Sequence, residues 1–181
     1  MKNPDQHNLN LNKLEFSPET STIILDIVPL ALDIEKVKEV AEENGLNLKE
    51  EFHSTIIGRQ VSNIITARVE ALPHLEQLEI RASVKNLAKK FHWNYSLQQN
   101  FFYISNEYGR NEKRQSIVQM IDFPDIVEFY VELNDLLNTK FATPLPHVTL
   151  YTTSTREDNK LRGIAIDSVE HFWLLNPIKI G

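Results

Sequence analysis

The chain of 181 residues contains no cysteine, which excludes disulfides, thiolate nucleophiles and cysteine-bound zinc together. Glycine is scarce, at five residues, and no Gly-rich phosphate loop, zincin helix or serine-centred nucleophile elbow is present. Positive charge is also in short supply: 19 Lys and Arg stand against 25 Asp and Glu, for a formal net charge of −6. A protein that grips long duplex nucleic acid by counterion release needs the opposite balance. A small anionic group, held by a few local donors, is still compatible with this composition. No apolar run approaches the roughly 20 residues of a membrane span, and the opening "MKNPDQHNLNLNKLEFSPE" is polar and Asn-rich, without the apolar segment of a signal peptide. These absences predict a cytoplasmic protein with no membrane partner.

What is present is enough hydrophobic residue, 41%, to build one sizeable core. Residues 1–15 are expected to lack fixed structure, and 16–181 to form a single domain. "STIILDIVP", residues 21–29, reads as a buried strand stopped by proline and central in its sheet. A helix follows with Ile34, Val37, Val40 and Ala41 on one face, Asp33 as its cap and Gly45 as its stop. Residues 52–57 alternate as a strand, and helix returns through Val61, Ile64, Ile65 and Val69 until Pro73. Between residues 74 and 93 the signal is mixed, since Leu78, Ile80, Ala82 and Val84 alternate like a strand while Leu87, Ala88 and Phe91 suit a helix. "NYSLQQNFFYIS" and "KRQSIVQMIDF" read as a hairpin across the polar "NEYGRNE". "PDIVEFYVELNDLLN" opens on proline and aligns Ile126, Tyr130, Leu133 and Leu137 as a helix. "PLPHVTLYTT" then reads as a strand, and "EHFWLLNPIKI" as the last one. This order predicts an α+β protein with largely antiparallel sheets, helices packed outside, and two halves of similar plan.

Two strand candidates, each following an amphipathic helix, carry the same triplet. "FHSTIIG" holds His53 and Thr55, and "PHVTLYT" holds His147 and Thr149. Side chains at i and i+2 of a strand point the same way, with Cα atoms about 6.5 Å apart. Each strand therefore offers an imidazole and a hydroxyl to one side, while Ser54 with Ile56, and Val148 with Leu150, face the other. A single His-x-Thr reads best as a strand histidine satisfied by its neighbouring hydroxyl; the matched pair reverses that reading. Strand parity also carries Tyr151 and Thr153 on the face of His147, and Arg59 on that of His53. At about 3.3 Å per residue, Tyr151 lies roughly 13 Å and Arg59 roughly 20 Å from its histidine, which makes neither a safe phosphate ligand. Tyr151 at the rim could stack on a base, or simply pack at a strand end.

The paired motifs "HSTI" and "HVTL", separated by 94 positions, resemble those of the two-histidine (2H) phosphoesterases, which include 2′,5′-RNA-ligase-like proteins and cyclic phosphodiesterases. The resemblance covers residues 20–180, with the eight motif residues as its specific part. It implies a bilobal, pseudo-two-fold α+β fold with antiparallel sheets lining a central cleft. It further implies His53 and His147 as an acid–base pair and Thr55 and Thr149 as phosphate-binding residues, with no metal and no cofactor. In such enzymes the second histidine is often the base, which corresponds to His147 here; the residues alone leave both orders open. Histidine suits the task because its pKa near 6.5 allows one copy to be neutral while the other is charged. The expected partner is a nucleotide or RNA-end phosphodiester, turned over by a monomer. The competing expectation is a module that binds the same ligand without consuming it.

Overall fold

The computed structural model describes residues 14–17 and 22–181. The segment expected to lack fixed structure thus falls mostly outside the described residues, but its last two members do not. Leu14 and Glu15 belong to β1 (Leu14–Phe16), which pairs antiparallel with β2 (Ile23–Asp26). Leu14 and Phe16, two apart, pack against the main core, so the ordered domain starts before residue 16.

β2 is the middle strand of a three-stranded antiparallel sheet in the order β1-β2-β4, with β4 at His53–Ile57. Ile23 and Leu25 are buried, as alternation on a half-covered sheet requires. The helix expected after β2 forms in two pieces, a 3-10 turn at Ile34–Val37 and α1 at Lys38–Glu43. It stops at Gly45, whose φ of +64° suits a residue without Cβ. Asp33 precedes this helix without capping it; its carboxylate instead accepts a hydrogen bond from Gln99 Nε2 at 2.7 Å.

After the short β3 (Asn47–Leu48) and then β4 come α2 (Arg59–Glu70) and α3 (His74–Lys90). The stretch of mixed periodicity is therefore helical as far as Lys90. Ile80, Val84 and Ala88, at i, i+4 and i+8, pack on the core, whereas Leu75 and Leu78 are exposed, so the apparent strand alternation was incidental. The hairpin strands β5 (Ser96–Tyr108) and β6 (Glu112–Asp122) are long, and Gly109, at φ +64°, turns between them. α4 (Asp125–Leu137) buries Ile126, Tyr130 and Leu133 as its spacing predicts, and Phe129 as well. β7 (His147–Ser154) follows. The last expected strand splits into α5 (Val169–Leu174) and β8 (Ile178–Ile180). Ser168 caps α5 by accepting from the His171 amide, a start signal that the aromatic run had obscured.

The second sheet is five-stranded and antiparallel, in the order β3-β7-β6-β5-β8. The protein is thus a mixed α+β structure with two antiparallel sheets. Among the described residues no helix is long and apolar enough to cross a membrane. Two ties bring β4 against β7. β3 belongs to the five-stranded sheet, and the Lys49 amide still bonds the Leu150 carbonyl at 2.9 Å, leaving at most about 14 Å of chain before His53. From the other side, Tyr130 Oη donates to the Ile56 carbonyl at 2.9 Å, fixing α4 to β4. Tyr130→Phe should therefore lower stability by about 1 kcal/mol, read as a shifted urea midpoint with an unchanged slope.

Candidate functional site

Along β4, His53 and Thr55 are partly exposed while Ser54 and Ile56 are buried; along β7, His147 and Thr149 are partly exposed while Val148 and Leu150 are buried. The alternation expected of the paired triplets is therefore present on both strands. All four side chains line one cleft of about 1040 Å³. Its floor on the β2 side continues with Ile24, which pairs with Thr55.

His147 is held by the chain just before it. Its Nδ1 lies 2.8 Å from the Leu145 carbonyl oxygen. A carbonyl only accepts, so Nδ1 carries the proton and Nε2 bears the lone pair of the neutral ring. The Pro-Leu-Pro run sets this geometry: the Pro146 carbonyl accepts from the Ile121 amide at 3.2 Å, anchoring the segment to β6. Burial is the main influence holding the His147 pKa below its ordinary value of 6.5; the Leu145 bond and the Asp167 charge oppose it, and the His53 charge reinforces it. Burial also lowers His53, helped by Lys49 and opposed by Asp26, Glu51 and Glu15. The carboxylates thus cluster around His53 more than around His147.

Thr149 is covered by the segment after β7. A Cβ built on Gly163 would stand 3.0 Å from Thr149 Oγ1, so any side chain here would push the threonine aside by a few tenths of an ångström. Thr152 Oγ1, 3.2 Å from the Arg162 carbonyl oxygen, helps to hold the same segment against β7. Ile164, Ile166 and Phe172 then pack on Ile104, Val118 and Met120, forming a second core on the cleft side of the large sheet.

The parity argument fails beyond Leu150. Val118 pairs with Thr149 but Ile117 with Tyr151, so β7 carries one extra residue there, a bulge that reverses which side the following side chains face. Tyr151 consequently turns into the main core, 5% exposed, and is not among the residues that line the cleft. Thr152 takes the side that Tyr151 was expected to occupy. Arg59, extrapolated along the strand to a distant point, is instead the first residue of α2 and lines the cleft directly. No motif signalled Lys49, Arg114, Arg162, Gly163 or Asp167, which reach the cleft from other elements. His171, which belongs to neither triplet, also lines it, with Nδ1 3.5 Å from an Asp167 carboxylate oxygen.

Among the described residues no group of three or more His, Asp or Glu side chains is disposed to hold a metal ion. In comparisons with known proteins the chain matches no family model, no curated protein and no solved structure.

An imidazole titration followed by NMR checks the electrostatics. Both His53 and His147 should titrate below 6.5, and neutral His147 should show the Nδ1–H tautomer. His53→Gln removes a neighbouring charge and should raise the His147 pKa. Because both folded values are depressed, the stability linked to them is present above the unfolded value near 6.5 and is lost as pH falls through the folded values.

Proposed function

We propose that the protein is a metal-independent phosphodiesterase of the two-histidine type, hydrolysing a nucleotide phosphodiester such as a 2′,3′-cyclic phosphate, a 2′,5′-linkage or a cyclic oligonucleotide. In this reading the two sheets are the two lobes of a pseudo-two-fold architecture, each contributing one His-x-Thr strand to the cleft between them. The observation that carries the proposal is the meeting of both triplets in one cleft, with the proton of His147 fixed on Nδ1 by Leu145.

Displacement at phosphorus proceeds in line, so the entering and leaving oxygens need proton transfer on opposite sides. His147, neutral with its lone pair on Nε2, acts as the base. It takes a proton from water as the water oxygen bonds to phosphorus. His53, whose pKa burial lowers against the opposing charges of Asp26, Glu51 and Glu15, acts in its protonated form as the acid, giving its proton to the leaving oxygen as that oxygen's bond to phosphorus breaks. The hydroxyls of Thr55 and Thr149 donate to the non-bridging oxygens as charge grows on them. Gly163, lacking a side chain, leaves the Thr149 hydroxyl room for that role.

A screen of cyclic mono- and dinucleotides and 2′,5′-dinucleotides in the presence of chelator, with products identified by mass, tests this. Turnover should survive chelation, and His53→Ala and His147→Ala should each reduce kcat/KM by about 10²- to 10⁴-fold in folded protein. Near wild-type turnover by both variants would falsify the assignment. Ligand retained but returned intact at stoichiometric protein would establish the binding module instead. Gly163→Ala, which displaces Thr149 by a few tenths of an ångström, should lower kcat on the order of tenfold with the melting temperature little changed.

A further inference from the structure

Resting on the phosphodiesterase reading, we propose that the same cleft contains a second phosphate subsite formed by Arg59, Arg114 and Arg162. The substrate is then a phosphodiester bearing a further phosphate about one nucleotide unit away, and not an isolated mononucleoside cyclic phosphate.

The first ground is a local reversal of sign. The whole chain carries a net charge of −6, yet the cleft is lined by five Lys or Arg side chains and only two carboxylates, Glu51 and Asp167. The single scissile phosphate already has two histidines and two threonines. The arginines are surplus to it.

The second ground is how the three are placed. Arg114 on β6 pairs in register with Ser154 of β7. It is 6% exposed, fixed by Glu112 Oε1 at 2.5 Å and stacked 4.2 Å from the centre of the Tyr108 ring. Glu112, its carboxyl held down to about 2 chiefly by Arg114, also accepts from Ser154 Oγ and Asn159 Nδ2. One buried carboxylate thus ties Arg114 to the loop after β7. That loop leads to Arg162, whose carbonyl lies against Thr152 while the next residue, Gly163, rests on Thr149. Thr149 and Thr152 are at most about 10 Å apart along the strand, a spacing a nucleotide unit covers. Arg59 arrives from the other sheet, at the start of α2 directly after Gly58.

The third ground is missing counter-charge. Arg59 and Arg162 are exposed to the cleft, and among the described residues neither side chain has an ion-pair partner. Burial, then the charges of Arg114 and Arg59, push the Arg162 guanidinium below its ordinary value, and the opposing charge of Glu112, already paired with Arg114, does not offset them. An arrangement serving stability alone would carry acids for these two as Glu112 serves Arg114. A phosphate, with several acceptor oxygens, matches converging guanidinium forks.

Calorimetric titration of the full chain with adenosine 3′,5′-bisphosphate and with adenosine 3′-monophosphate tests the subsite without requiring turnover. The wild type should bind the bisphosphate at least about tenfold more tightly. Arg59→Gln and Arg162→Gln should each shrink that ratio, and the double variant should bring it near one. Lys89→Gln, at an exposed position of α3, should leave it intact. Arg114 is left unaltered because removing it strands the buried Glu112. Equal affinity for the two nucleotides in the wild type, a ratio that persists in the double variant, or equal loss in Lys89→Gln would each overturn the subsite. Turnover of phosphodiesters with equal binding of the two nucleotides removes the subsite and keeps the catalytic reading. A bisphosphate preference that depends on the arginines, in a protein that turns over no phosphodiester, does the reverse.

Discussion

Side chains on an extended strand alternate, and β4 and β7 have to serve a core and a cleft with the same few residues. Ser54 and Ile56, like Val148 and Leu150, are buried, and their burial determines which way His53, Thr55, His147 and Thr149 point. A slip of one residue in either strand would bury its imidazole and its threonine and expose residues that now face the core. The register is therefore specified by hydrophobic burial, and the site inherits its precision from the core. The same logic explains why the loop before β7 matters: with His147 at the first position of its strand, the hydrogen bond to Leu145 and the anchoring of Pro146 fix a ring that the sheet alone would leave free to rotate.

The electrostatics divide along similar lines. Most of the acidic surplus lies outside the cleft, while within it burial depresses both histidines and cationic residues dominate the lining. Such a cavity favours a small anion by local donors, and the overall negative charge opposes long polyanions. The two histidines differ in their surroundings despite matching triplets. One is tied to a backbone carbonyl, the other sits near three carboxylates, so near-identical sequence motifs lie in different electrostatic surroundings.

Much of this was legible in the sequence because it depended on local periodicity. β2, β4 and α4 and the two triplets were readable from alternation and helical spacing, and the hairpin from its polar turn. α3 was obscured because exposed Leu75 and Leu78 blurred the stripe formed by Ile80, Val84 and Ala88. The aromatic and branched residues of α5 resembled a strand, and only the cap at Ser168 marks the helix. Tyr151 was misplaced because a bulge at Leu150 depends on how β6 pairs with β7, and pairing is not a property of either strand alone. Arg114, Arg162 and Gly163 had no signal for the same reason: each reaches the cleft through tertiary contacts, from Glu112 and Tyr108 in one case and from Thr152 and Thr149 in the others.

The claim on which the account turns is that His53 and His147 perform opposite proton transfers on one phosphate. The pH dependence of kcat/KM, measured under chelation for the wild type and each histidine-to-alanine variant on the best substrate, tests it most directly. The account predicts a bell for the wild type, with the acidic limb absent from the residual activity of His147→Ala and the alkaline limb absent from that of His53→Ala. A wild-type profile without two limbs, or variants that both keep the full bell, would contradict it.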